Sequence, residues 1–209
     1  MKKTLQRAGL ILVLAGSTLT TLTGCFPLVA GGVVTGVLVA ADRRTPGTVA
    51  EDQGIEVKAA NRIQDNLGER AHVNVTSYNR QVLLTGEVPS AQDKQLAEKV
   101  ASGVENVRNI VNELAIMGNS TLTQRSSDSL VTGRVKAALI DAQDLFANSF
   151  KVVTEHGTTY IMGRVTQREA DRATAIIRGT DGVQRLVRVL EIISEDELAR
   201  IVPAQAQAK

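Results

Sequence analysis

The sequence predicts an α+β chain built from two tandem copies of one small module, each running helix, strand, strand, helix, strand (αββαβ), with a three-stranded mixed sheet backed by two helices. Three observations carry this. Residues 82–88 (VLLTGEV) read against 159–165 (TYIMGRV) and 72–76 against 149–153, all at an offset of 77, and residues 107–111 read against 183–187 at 76. Short apolar stretches alternate with period two between turn residues, as strands do. Capping residues punctuate the helical stretches. A chain of 209 residues, 43% of them hydrophobic, has room for two such cores.

In the first copy a helix over about 55–67 precedes alternating Val73 and Val75, a turn at Tyr78-Asn79-Arg80, and an apolar strand over 81–88. Pro89-Ser90 ends that strand. Ser90, with Asp93 three residues on, is an N-cap pair for a helix to about 102. Gly103 stops the helix, and 107–116 forms the last strand. In the second copy Ser127 or Asp128 is the expected N-cap of the first helix, and His156-Gly157 makes the hairpin turn. Thr166 and Glu169 form a capping box, Gly179 and Gly182 bracket the exit of the second helix, and 183–193 is the closing strand. The segment VKAA at 57–60 recurs at 135–138, an offset of 78, which sets the expected register of the two first helices. Gly86 and Gly163 stand at equivalent points late in the second strand, where glycine is costly unless the backbone bulges or is closely approached. The modules thus span 50–117 and 128–194, joined by a polar linker over 118–127 and followed by a C-terminal tail over 195–209, of which 203–209 is expected to be disordered.

The N-terminus has a separate logic. Lys2, Lys3 and Arg7 precede the apolar run 9–16, too short to span a bilayer, which is the anatomy of a secretory signal peptide over 1–24. Leu22-Thr23-Gly24-Cys25 resembles the bacterial lipobox, which implies that Cys25 is acylated and becomes the first residue after cleavage. Two or three acyl chains, at roughly 0.8 kcal/mol per buried CH₂, hold a chain far more firmly than one reversible lipid. In the sorting pattern of such lipoproteins an Asp after the Cys retains the protein in the inner membrane. Phe26 stands there, which implies the outer membrane. Residues 25–49 then form a membrane-proximal tether, since 26–41 are largely apolar but short and glycine-interrupted.

Charge follows from this division. The whole chain carries +2, but residues 1–24 hold three basic groups and no acidic ones, so the mature chain carries 21 Lys and Arg against 22 Asp and Glu, net −1. Nucleic acid is not an expected partner. A single Cys excludes an intramolecular disulfide, and two isolated histidines, His72 and His156, leave too few ligands for a Cys/His zinc site. No metal or cofactor is therefore assigned. His156 reads as a turn residue, not a catalytic base. There is no Gly-x-Ser-x-Gly, P-loop or His-Glu-x-x-His, and carboxylates such as Glu155 and Asp181 sit in turns as solvated or structural groups, so no catalytic residue is assigned.

The αββαβ module, its hydrophobic-Gly-hydrophobic second strand (84–88, LTGEV; 161–165, IMGRV) and its Gly-Val entry to the closing strand (103–107, GVENV; 182–186, GVQRL) resemble the BON domain. Two such domains behind a lipobox resemble the DolP family of Gram-negative outer-membrane lipoproteins. That resemblance implies a non-enzymatic protein facing the periplasm. It implies binding of anionic phospholipid, such as phosphatidylglycerol or cardiolipin, in support of envelope integrity, with enrichment at the division site.

The modules differ in the way such binding needs. Residues 50–117 carry net −3 and residues 128–194 net +1, so an anionic bilayer favours the second. On a helical wheel Val131, Val135, Ala138 and Ala142 form one stripe toward the sheet. Leu130, Gly133, Lys136, Ala137 and Ile140 lie opposite, with Arg134 at the edge. The first helix of module one is expected to bury Val57, Ala60, Ile63 and Leu67 and to show Lys58, Asn61, Arg62 and Asp65. Leu130, Gly133, Arg134, Lys136, Ala137 and Ile140 are therefore the expected phospholipid contacts, apolar groups inserting beneath headgroups while the basic ones meet phosphate. The family resemblance implies the same helix, often with an aromatic near its start, where this chain has Leu130. Two alternatives stay open: Leu130 and Ile140 could pack on module one, or the protein could serve as an adaptor for an envelope-assembly or peptidoglycan-remodelling partner.

Overall fold

Residues 42–201 are described by the structure, a computed structural model. Helix α1 (Pro46–Leu67) is capped by Thr45, whose hydroxyl accepts from the Thr48 N–H, with Pro46 in the first turn, where its missing N–H costs nothing. It begins nine residues before the expected start at 55, because its Thr-Pro signal lies inside the segment assigned to the tether. Ile55, Ala59, Ile63 and Leu67, every fourth residue, form its buried stripe. Val57, expected in the core, is 61% exposed, and Ala60 is only half-buried.

Strands β1 (His72–Tyr78) and β2 (Gln81–Val88) pair antiparallel around Asn79 and Arg80, whose φ of 52° and 65° make a tight hairpin turn. Helix α2 (Ala91–Ser102) starts at Ser90 as expected, with the Asp93 N–H donating to the Ser90 hydroxyl. It crosses to β3 (Asn109–Asn112) and β4 (Ala115–Ile116), both parallel to β2. The expected single strand over 107–116 is thus interrupted at Glu113-Leu114, where Leu114 turns into the core at 2% exposure.

Module two repeats the plan with α3 (Leu122–Asp141), β5 (Phe150–Glu155), β6 (Thr158–Thr166), α4 (Gln167–Arg178) and β7 (Arg185–Ile193), in the sheet order β5-β6-β7. The capping box at Thr166 and Glu169 forms as expected. Neither Ser127 nor Asp128 caps α3. Thr121 does, in a capping box with Gln124, so the expected linker is helical from residue 122. The tail assigned over 195–209 begins with helix α5 (Glu195–Ile201), whose acidic first turn suits the helix dipole and whose Leu198 packs with Ile193 and Ile201, while 203–209, expected to be disordered, lie outside the described residues. The signal peptide, Cys25, residues 26–41 and 202–209 lie outside the described residues.

A buried aspartate sets the register of the repeat. Asp52 on α1 accepts from the Ser77 hydroxyl and from the N–H groups of Asn79 and Arg80. Asp128 on α3 accepts from the N–H groups of His156 and Gly157. Each first helix is thereby stapled to its own hairpin turn, and the helices correspond at an offset of 76 rather than 78. Ile55, Ala59 and Ile63 match Val131, Val135 and Leu139. Leu139, not Ala138, completes the buried stripe of α3.

Each module has its own core between helices and sheet. Alternation along the strands leaves a second apolar set on the helix-free faces. Tyr78 and Leu83 of module one and Tyr160, Met162 and Val189 of module two are buried there in one shared cluster. The two sheets meet through these faces, so the repeat forms a single body.

Gly86 and Gly163 are each closely approached by backbone at the start of the neighbouring strand, not by a packed helix. A Cβ on Gly86 would collide with the His72 carbonyl oxygen, and one on Gly163 with the equivalent Ser149 oxygen. Gly86 also sits at φ 108°. Gly86→Ala is expected to cost about 2–4 kcal/mol in urea unfolding. Gly54→Ala in α1, where a Cβ meets nothing within 4 Å, should stabilise by about 0.5–1 kcal/mol in the same assay.

Candidate functional site

The outward face of α3 carries all six residues expected to meet lipid. Leu130 is 63% and Ile140 66% exposed, and Gly133, Arg134, Lys136 and Ala137 are exposed between them. The alternative in which Leu130 and Ile140 pack on module one does not hold, because the modules meet through their sheets instead. Leu122, in the added first turn, extends the apolar stripe at 79% exposure. From Leu122 to Ile140 the stripe runs about 27 Å, at 1.5 Å per residue. Beside its C-terminal end an open groove of about 380 Å³ is lined by Lys136, Ile140, Phe150 and Val152, with Asp42 at its edge.

Asp42 is placed there by its neighbours. Arg43, 4% exposed, forks onto the Glu169 carboxylate at 2.6 and 2.8 Å and donates to the Arg164 carbonyl at 2.9 Å. Arg44 turns the other way, pairing with Asp42 and Asp52 at 2.8 Å each and lying 4.2 Å over the Tyr78 ring. Consecutive arginines thus bind the chain entry to module two and module one respectively. Burial pushes the Tyr78 hydroxyl up to about 12, so it stays neutral and donates to the Ser149 carbonyl at 3.4 Å. Burial alone would also raise the Glu169 carboxyl. The Arg43 hydrogen bonds, the Thr166 N–H and the Arg43 charge outweigh it and hold Glu169 below the usual Glu range.

The rim of the inter-module face is polar. Glu87 on β2 has a fully buried side chain, with His72 Nδ1 at 3.0 Å from one oxygen and His156 Nε2 of module two against the other. The histidines, isolated in sequence, share one carboxylate in space. Burial works against the Glu87 charge, but the Ser120 N–H and the imidazoles hold the carboxyl below its usual range. Glu155, expected as a solvated or structural turn group, ends β5 half-buried and accepts from the Asn74 amide. Burial raises its pKa, and the nearby Glu87 and Asp128 charges add to the rise. Lys151 bridges to Glu56, and Asn79 donates to Glu191 at 2.6 Å.

The BON domain family matches this chain twice, at residues 51–118 and 127–194. The chain belongs to the BON-domain family. It is a dual-BON protein similar to Outer membrane lipoprotein DolP of Haemophilus influenzae, 35% identical over 183 residues that cover 87% of this chain and 94% of that one. The 21 kDa hemolysin of Actinobacillus pleuropneumoniae is 31% identical, covering 73% of this chain and 79% of that one. Osmotically-inducible protein Y of Escherichia coli is 30% identical, covering 66% and 71% respectively.

Within this BON pair, sequence reasoning found the outward residues of α3 by periodicity alone. It missed Leu122, whose Thr-x-x-Gln capping signal was legible, and it missed Arg43 and Arg44, because long-range ion pairs leave no local pattern. Arg43→Ala strands a buried carboxylate and is expected to lower stability by about 3 kcal/mol. A carboxylate held below its unfolded value stabilises the fold above that value and stops doing so as pH falls through its folded one. Stability should therefore drop as pH falls below about 4.5, the ordinary Glu value, and this acid dependence should weaken in Arg43→Ala/Glu169→Gln, read by urea unfolding from pH 7 to 3.

Proposed function

We propose that this dual-BON protein is an outer-membrane lipoprotein, acylated at Cys25 and facing the periplasm, that supports envelope integrity by docking the outer face of α3 on anionic phospholipid. The observation that carries the reading is the exposed stripe of Leu130, Ala137 and Ile140 flanked by Arg134 and Lys136, with Asp42 seated at its C-terminal end. Sixteen residues separate Cys25 from Asp42, so the chain from the acylated cysteine arrives beside the helix that would meet the bilayer. Sheet-to-sheet packing of the modules leaves that face uncovered. The name of the Haemophilus influenzae relative supports the membrane assignment.

The magnitudes suit an orienting contact. Inserting Leu130 and Ile140 contributes roughly 1.5–3 kcal/mol each, and two basic groups near an anionic surface about 1 kcal/mol each. That is enough to orient a chain already held by acyl groups and to give weak, reversible binding without them. Cosedimentation of residues 25–209 carrying Cys25→Ser with phosphatidylglycerol or cardiolipin vesicles should retain the protein, while phosphatidylcholine vesicles retain little. Leu130→Asp combined with Lys136→Glu should lower the bound fraction roughly tenfold. Retention unchanged in the double variant refutes the assignment, and capture that needs another envelope protein favours the adaptor reading.

A further inference from the structure

The rim cluster of His72, Glu87 and Glu155 has no part in lipid docking, yet it brings metal-ligating atoms together. His72 Nδ1 and one carboxylate oxygen each from Glu87 and Glu155 lie within 4.8 Å of one another. His72 and Glu87 are cross-strand partners on β1 and β2, whereas Glu155 ends β5, so the three side chains come from both modules. The ion-pair partners of Glu87 among the described residues are the imidazoles of His72 and His156. Two carboxylates and the nearby Asp128 therefore converge on groups that are cations only when protonated. A divalent cation supplies the charge the cluster lacks.

We infer that His72, Glu87 and Glu155 form a binding site for a zinc-like divalent transition metal that ties the two BON modules together. One imidazole with two carboxylates suits such an ion, while Mg²⁺ and Ca²⁺ prefer an all-oxygen set. Ligand atoms held about 2.0–2.1 Å from zinc stand roughly 3.4 Å apart. His72 Nδ1 and Glu87 already lie 3.0 Å apart, and the Glu155 oxygen, within 4.8 Å of both, completes the set by closing in on the ion. The metal takes the place of the hydrogen bond between His72 and Glu87. Outer partners are in place: the Asn74 amide donates to Glu155, the Ser120 N–H donates to Glu87 at 3.2 Å, and His156 engages the second Glu87 oxygen. The His72 and His156 side chains are 20% and 28% exposed, which leaves an entry path and a fourth position for water.

The test uses the full-length chain, purified in detergent without a histidine tag and titrated with ZnCl₂. One zinc per chain is expected, with the unfolding midpoint raised by about 5 °C at saturation and no rise with MgCl₂. In the unsubstituted chain the His72 imidazole proton signals should shift at one equivalent, a readout that needs no variant. His72→Gln and Glu155→Gln, each replacing a ligand with a near-isosteric amide, should weaken zinc binding at least tenfold. Absence of binding at 1 mM zinc, His72 signals that stay in place, or zinc affinity in both variants equal to that of the unsubstituted chain overturns the proposal. Because no lipid is titrated, its outcome is independent of the phospholipid reading.

Discussion

A three-stranded sheet with both helices on one side cannot stay folded alone with an apolar opposite face, and this constraint governs the molecule. Here each module covers the other. Tyr78, Leu83, Tyr160, Met162 and Val189 are buried where the helix-free faces meet, each contributing on the order of 1.5–3 kcal/mol of burial. The patch is small, so its rim must also be satisfied. Lys151 with Glu56, Asn79 with Glu191, His156 with Glu87 and Asn74 with Glu155 ring it. Using the sheet faces for this purpose leaves all the helices outermost, and only because of that is the apolar stripe of α3 available at all.

The repeat has diverged where the copies touch. At the strand offset of 77, Glu87 corresponds to Arg164, His72 to Ser149, Asn74 to Lys151 and Tyr78 to Glu155. Identical faces would have set like charge against like. Divergence instead lets each copy supply what the other lacks, and it gathers the histidines on one side of the rim. The first helices diverge on their outer surfaces too. At their offset of 76, Gly54, Asn61 and Gln64 of α1 stand where α3 has Leu130, Ala137 and Ile140. The charge contrast between the modules thus has a counterpart in apolar exposure, and both point to α3.

Much of this was legible in the sequence because it is local. The strands, the caps at Ser90 and Thr166 and the outward residues of α3 follow from periodicity and spacing of a few residues. What failed was governed by distant partners. The VKAA match at 57–60 and 135–138 aligned the first helices by resemblance of side chains, whereas the fold aligns them by the function of Asp52 and Asp128 at their hairpin turns. Val57 was misplaced for that reason. His72 and His156 stand 84 positions apart, and nothing short of the inter-module packing brings them to one carboxylate.

The clasp at Arg43 and Arg44 joins the proposed anchor to the proposed contact surface. Fully extended, the seventeen residue steps from Cys25 to Asp42 reach no more than about 60 Å. An acylated Cys25 would therefore hold the BON pair within that distance of the bilayer, at an effective concentration where a few kcal/mol suffices to dock a surface. Without the clasp the leash would leave the fold at Thr45 and the modules could tumble beneath it. With Arg43 locked on Glu169 and Arg44 on Asp52, the leash leaves beside Lys136 and Ile140. The buried ion pairs, costly to desolvate, are then better understood as fixing where the chain exits than as adding stability. That exit would restrict which face of the molecule an acylated Cys25 could turn toward a membrane.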